Sequence, residues 1–422
     1  MEWIMRELIL KNKSIKTGNY MKICNACFRV MIAVTVILVS SVIASATQPA
    51  DSAKRYIHHL GADLRVAYIA PARSAVENTY LSSSARDVSA SAHIKYSFTY
   101  PSASREGRLY PGAYQGVGVG GTTFFDNSRT GMPVSAYLFQ GAPIVRLAPN
   151  LTFGYEWNFG VAFGWKKYND DLYPPVNLIV GSPVNAYINL GFLLTYRLDR
   201  NWSLTAGIDL THYSNGNTSL PNPGVNSIGG RVGVTRTFDS DDALRTLVNN
   251  SSAGSFRPHI SYDLVAYGAV RKKVVNLNGF AEIVPGHFGI AGLNFTPMYN
   301  FNRFLRAGVS LDVQYDESSD LAKHWVEGSV GDYIKFYRPS FFDQVSCGLS
   351  ARGELVMPIF SINAGMGYNI IGNNDTKNFY QVLALKIHLA KSFYVHIGYQ
   401  LNSFKNPNNL MIGLGYRFHD KR

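Results

Sequence analysis

Cysteine is nearly absent from this chain: of its 422 residues only Cys24, Cys27 and Cys347 carry a thiol. The first two fall in a segment expected to be removed. What remains has no internal disulfide to hold it together. Charge is sparse too, at 16% Asp, Glu, Lys and Arg, against roughly a quarter in ordinary soluble domains. Beyond Ala46 no run of 18 apolar residues occurs, which excludes a transmembrane helix. No Cys/His/Asp spacing of a metal centre is present, and nothing suggests a cofactor, a nucleotide or nucleic acid. Tyr (26), Phe (24) and Gly (38) are plentiful instead. Aromatics and glycine without long apolar runs point to β-strands that face lipid.

The apolar run Phe28–Ala46 ends in Ala44-Ser45-Ala46 and is preceded by Lys22 and Arg29. This is the pattern of a secretory signal peptide spanning residues 1–46, cleaved after Ala46. Met21-Lys22 makes a more ordinary start, so residues 1–20 read as an over-long gene start. No cysteine follows the cleavage point, which argues against a lipoprotein. The remaining chain holds 34 basic and 26 acidic side chains, a net charge of +8. A mildly basic exported surface can attract phosphate-bearing lipid.

After a lead-in at 47–59, alternation with a period of two recurs almost everywhere. Leu151, Phe153, Tyr155, Trp157, Phe159, Val161, Phe163 and Trp165 share one parity, with Thr152, Gly154, Glu156, Asn158, Gly160, Ala162 and Gly164 on the other. The apolar face is long and aromatic, while the opposite face is small and polar. That inverts a soluble protein and suits a barrel with hydrocarbon outside and a wet lumen. Glu156, Arg306, Asp312, Arg352, Glu354 and Lys386 all fall on the polar parity, as do His388 and His396. Charge at mid-depth on the lipid face costs about 2–4 kcal/mol, so the parity assigns these residues to the lumen.

Tight turns at Ala148-Pro149, Asp199-Arg200, Asn302-Arg303 and Lys391-Ser392 alternate with long loops at 167–183, 215–223 and 316–340. Short turns belong on the periplasmic side. The expected fold is an all-β, transmembrane antiparallel β-barrel. Sixteen strands can be placed, or fourteen if the Gly-rich stretch 111–125 is not one. Residues 239–256 form a linker between halves 60–238 and 257–422. One large barrel of 14–16 strands is the leading expectation, with two tandem eight-stranded barrels as the alternative.

One stretch stands apart. In Leu204–Ile228 the apolar parity of Leu204, Ala206, Ile208 and Leu210 continues into His212 and Ser214. Across the following Gly/Asn/Pro-rich turn, Asn226 shares parity with Ile228, Val232 and Val234. A histidine, a serine and an asparagine are thus expected on the lipid-facing side, at the outer end of their strands. Residues i and i+2 lie about 6.6 Å apart along a strand, so an imidazole that leans along it nearly reaches the serine. These are ingredients of a serine hydrolase. The other reading is a polar barrel rim with ordinary turn residues. The basic run Arg271-Lys272-Lys273 ends another outward strand and could meet lipid phosphates.

His212-Tyr213-Ser214-Asn215-Gly216 followed by Pro221-Asn222-Pro223-Gly224 resembles the outer-membrane lipid A 3-O-deacylase (PagL-type), or acyloxyacyl hydrolase, family. Its signature is H-x-S-N, a short gap, N-x-G and a catalytic Glu. The resemblance implies a Ser-His-Glu esterase on the outer face of the barrel that removes an acyl chain from lipid A of lipopolysaccharide. Carried over, Ser214 is the nucleophile, His212 the general base, and Asn215 helps bind the oxyanion. The family's Glu falls on Asn226, which can orient an imidazole but cannot neutralise imidazolium. A catalytically silent structural or lipopolysaccharide-binding barrel, or a channel, is the alternative function.

Overall fold

Two-residue periodicity becomes extended backbone along most of the described residues. The computed structural model describes residues 56–70, 87–102, 104–167, 180–238, 256–277, 280–326, 335–372, 378–403 and 406–421. The expected signal peptide, 1–46, and residues 239–255 of the expected linker lie outside them. Strands β1 (Ile57–Ala70), β2 (Val88–Thr99), β3 (Tyr114–Thr123), β4 (Gly131–Ala148), β5 (Leu151–Trp165), β6 (Val184–Arg197), β7 (Trp202–Ser214) and β8 (Val225–Thr237) form an antiparallel wall. It closes when β8 pairs back onto β1, with Ala62 opposite Val234 and Leu64 opposite Val232.

The second wall contains β9 (His259–Arg271), then β12 (Phe288–Asn300), β13 (Leu305–Asp316), β14 (Val345–Val356), β15 (Phe360–Ile371), β16 (Phe379–His388), β17 (Phe393–Asn402) and β18 (Asn406–Phe418). It closes through β18 on β9. A small hairpin of β10 (Val274–Leu277) and β11 (Phe280–Ile283) stands above it. Among the described residues, then, sixteen strands make barrel walls. They close as two barrels of eight and not as one of sixteen, so the leading expectation of a single large barrel is corrected in favour of the tandem pair. Alternation sets which way a side chain points, but not which edges meet.

Turn chemistry fixes the register. Asp199 Oδ1 accepts the N–H groups of Asn201 (2.6 Å) and Trp202 (2.8 Å) between β6 and β7. Asn302 Oδ1 does the same for Phe304 and Leu305, both at 2.8 Å, between β12 and β13. Such side-chain caps pin the four-residue connections whose tight turns the sequence marks. The Gly-rich β3 is a full member of the wall.

The outer face is apolar: Ile208 is 59% exposed and Leu414 62%. The inner face is charged and closed to water. In the first barrel Arg231 reaches Asp209 (2.6 Å) and Glu156 (2.5 Å). Lys95 bridges Asp63 (2.7 Å) and Glu156 (3.1 Å), and Arg65 holds Asp63 at 2.7 Å. Three cations thus face three carboxylates. In the second barrel Arg417 and Lys386 share Asp263, and Lys386 also meets Glu354 at 2.6 Å. Arg306 pairs with Glu354 as well, and Arg352 with Asp312 at 2.8 Å. His396 is buried among these groups. An eight-stranded barrel is just wide enough for its own side chains to fill, and here ion pairs fill it. Below the first network a cavity of about 270 Å³ remains, lined by Thr152, Thr195, Ser203, Thr205 and Thr235.

Removing one partner from a buried ion pair strands the other, which costs about 3–5 kcal/mol. Arg231→Met is expected to lose that much in urea unfolding from detergent micelles. Arg236→Met, at an exposed rim position over Trp202 and Phe238, should lose under about 1 kcal/mol. Equal stability of Arg231→Met and the parent would show that the charged layer does not hold the barrel.

Candidate functional site on the outer wall

The site is built by the seventh and eighth strands of the first barrel. In β7, Leu204, Ile208 and Leu210 are exposed on the outside, while Asp209 and Tyr213 are buried inside. His212 and Ser214 continue the outward parity. In β8, Ile228 and Val232 are outward and exposed, and Asn226 shares their parity. The β7–β8 register then sets His212 directly opposite Asn226, and Leu210 opposite Ile228. On the other side, β6 sets Ile188 opposite His212 and Ala186 opposite Ser214.

Directly opposed outward residues have side chains about 5 Å apart at their β-carbons. Here the gap is closed by a hydrogen bond of 2.7 Å between His212 Nδ1 and Asn226 Oδ1. The amide oxygen only accepts, so Nδ1 carries the proton. Nε2 is left with a free lone pair. Among the described residues, no hydrogen bond joins Nε2 to Ser214 Oγ, and His212 Nδ1 meets no carboxylate. Ser214 is buried.

The loop after Ser214 is organised by two asparagines. Asn215 N–H donates to Asn222 Oδ1 (3.0 Å), and Asn222 Nδ2 donates to Asn217 Oδ1 (3.0 Å). Asn215 O accepts from Thr218 Oγ1 at 3.0 Å. Asn215 Oδ1 accepts the Ser219 N–H at 3.4 Å. Asn215 Nδ2 is buried without a hydrogen-bond partner among the described residues. The four residues of the sequence expectation thus gather at one end of one hairpin.

In the sequence Asn222 belongs to the motif that carries the family resemblance but has no role of its own in the site. The structure makes it the bracket of the loop. Arg271, expected to face lipid phosphates, instead turns into the second lumen. There it bonds Asp316, Ser318 and Asn408, because its parity is that of the buried residues on β9.

Gly224 matters for two reasons. Its φ is +75°, which L side chains rarely adopt, and a β-carbon there would sit 3.0 Å from His212 Cε1. Gly224→Ala is therefore expected to displace the imidazole while the barrel still folds. A misplacement near 1 Å costs on the order of 100-fold in rate. Unchanged turnover in a folded Gly224→Ala protein would show that the imidazole position is not what matters.

Two family models match the chain. One, lipid A 3-O-deacylase (PagL), covers residues 147–235, and the other, acyloxyacyl hydrolase, C-terminal domain, covers residues 260–420. No curated protein matches it. Among solved structures it is similar to the translocator domain of the autotransporter NalP from Neisseria meningitidis, at 10% identity and a TM-score of 0.18. That match covers 92% of this chain and 97% of the other. A KdgM porin in complex with disordered oligogalacturonate is similar at 8% identity and a TM-score of 0.18, covering 68% of this chain and 94% of the other. The barrel assignment rests on the strand pairing itself. The first family model contains β5–β7 and most of β8 with the His212 hairpin, the second covers nearly all of the second barrel, and by the two together the chain belongs to the lipid A 3-O-deacylase (PagL) and acyloxyacyl hydrolase family.

Proposed function

We propose that the protein is an outer-membrane serine esterase that hydrolyses an acyl ester of lipid A in the outer leaflet. The observation that carries this reading is the His212–Asn226 hydrogen bond on the outward face, beside Ser214. β7 rises from the tight Asp199 turn toward a longer loop, so its far end lies at outer-leaflet depth. An amphiphile whose acyl chains lie in the membrane can reach that point without leaving it. Leu210, Ile208 and Ile228 below the site would lie alongside its chains.

In this reading Ser214 Oγ attacks the ester carbonyl as His212 Nε2 takes its proton. The tetrahedral oxyanion is met by Asn215 Nδ2, a donor without another partner among the described residues. Collapse breaks the bond to the sugar oxygen, which takes the proton from His212 and leaves as a hydroxyl. Water then releases the fatty acid from the acyl-serine by the same steps in reverse roles. Asn226 holds the imidazole in the useful tautomer. It offers no negative charge to the imidazolium, so turnover is slower than with a carboxylate.

The same Asn226 favours a second reading, a silent barrel that binds lipopolysaccharide without cleaving it. The channel reading has less support, since ion-paired side chains cross both lumens. Mass spectrometry of lipid A from a Gram-negative host decides between these. The parent protein should remove one acyl chain, Ser214→Ala should remove none, and Asn226→Glu should speed removal by about tenfold or more. Removal seen only in Asn226→Glu would mean a retired site. Unchanged lipid A in all three would sink the esterase.

A further inference from the structure

The second barrel carries His259-Ile260-Ser261 at the start of β9, on the inward parity of Asp263 and not on the outer wall. Its last hairpin presents Tyr399 opposite Leu410 on the outward parity, where the first barrel has His212 opposite Asn226. Its relation to the site is external. Both barrels belong to one compact unit, Tyr56–Arg422, and they touch along a seam. Trp157 on β5 packs edge-on against Phe360, with ring centroids 5.2 Å apart. Tyr155 Oη lies 3.7 Å from Met357 Sδ, and Tyr110 meets Phe304 at 5.3 Å. The outward residues Leu385 and Ile387 of β16 are 5% and 2% exposed, whereas Leu383 on the same strand is 51% exposed. A lipid-facing wall has no reason to bury two of three neighbours unless another wall covers them.

At the other end this seam reaches the loop after Ser214. The Lys272 N–H, just past β9, donates to Asn217 O at 2.8 Å. Leu410, at the start of β18, lies against Gly216 so closely that a β-carbon at Gly216 would collide with its side chain. Gly216 has φ +62° and Asn217 has φ +64°, so the chain makes a sharp left-handed turn where the second barrel meets it. That turn directly follows Asn215, whose own amide is fixed by Asn222. It is held from inside by Asn222 and from outside by Leu410 and Lys272.

We infer that the second barrel is a wall of the first barrel's site, with Leu410 and the Lys272 backbone as positioning residues for the 215–223 loop that sets Ser214 and Asn215. The inference rests on the esterase reading for its catalytic consequence, but not for its structural one. Without this wall the loop opens into lipid, and Asn215 Nδ2 loses its fixed direction. The arrangement gives the second barrel a task that needs no chemistry of its own.

The test uses the full-length protein, refolded into lipopolysaccharide-containing vesicles, with insertion checked by heat-modifiable gel mobility. Two readouts are taken for Leu410→Ala, Leu410→Met, Lys272→Pro and the lipid-facing control Leu414→Ala. Amide hydrogen exchange of the peptide covering 215–223 should speed up at least tenfold in Leu410→Ala and Lys272→Pro, and stay at the parent value in Leu410→Met and Leu414→Ala. In the same two variants the kcat for deacylation should fall about tenfold with KM changed less than twofold, and Leu410→Met should restore it. Parent-like exchange in both Leu410→Ala and Lys272→Pro overturns the inference, whatever the activity. If exchange changes as expected but the parent enzyme itself releases no acyl chain, the esterase reading fails and the wall stands.

Discussion

A charged side chain inside an eight-stranded barrel has almost no water to turn to, so it must find its opposite. That constraint shapes the rest of the molecule. Arg231, Lys95 and Arg65 face Glu156, Asp209 and Asp63 in one lumen. Arg417, Lys386 and Arg306 face Asp263 and Glu354 in the other. Each set ties strands from opposite sides of its barrel. Desolvation makes such groups expensive singly and tolerable together. Once the interior is committed to ion pairs, a charged layer crosses each lumen. Chemistry on a membrane amphiphile therefore belongs on the outside.

The outside wall imposes its own rule, since hydrocarbon penalises polar side chains. His212, Ser214 and Asn226 break that rule together, on two adjacent strands and at one height. The antiparallel register turns the breach into a geometry by placing His212 directly opposite Asn226. The amide oxygen fixes the proton on Nδ1 and leaves Nε2 with its lone pair. Gly224, with its left-handed backbone, lets the returning strand pass close under the imidazole. The loop between is closed over Asn222 on one side and the second barrel on the other.

Much of this was legible in the sequence. Parity assigned Glu156, Arg306, Asp312, Arg352, Glu354 and Lys386 to the interior, and they are all buried there. Asp199 and Asn302 marked turns because their side chains cap the next two amides. The outward parity of His212 and Asn226 followed from counting in twos. Closure was not legible. Nothing local in β8 says that its free edge meets β1 rather than β9, and sixteen strands fit one barrel or two. The size of the lumen residues held the clue. Arg231, Glu156 and Tyr187 meet across the interior only if the barrel is narrow. Counting in twos also puts Arg271 on the parity of Asp263, Val265 and Tyr267, but its partners Asp316, Ser318 and Asn408 come from distant strands and were not legible. Asn222 stood in the recognised motif, but its bond to the Asn215 N–H is a loop contact that no local pattern announces.

The central claim is that Ser214 is a nucleophile activated by His212 on the lipid-facing wall. A membrane-partitioning alkyl phosphonate ester, which forms a covalent bond only with an activated serine, tests it most directly. The protein in lipopolysaccharide-containing vesicles is treated with this probe and its peptides are mass-mapped. The account predicts an adduct on Ser214 that disappears in His212→Ala. No adduct on Ser214, or an adduct that forms equally well without His212, would contradict it.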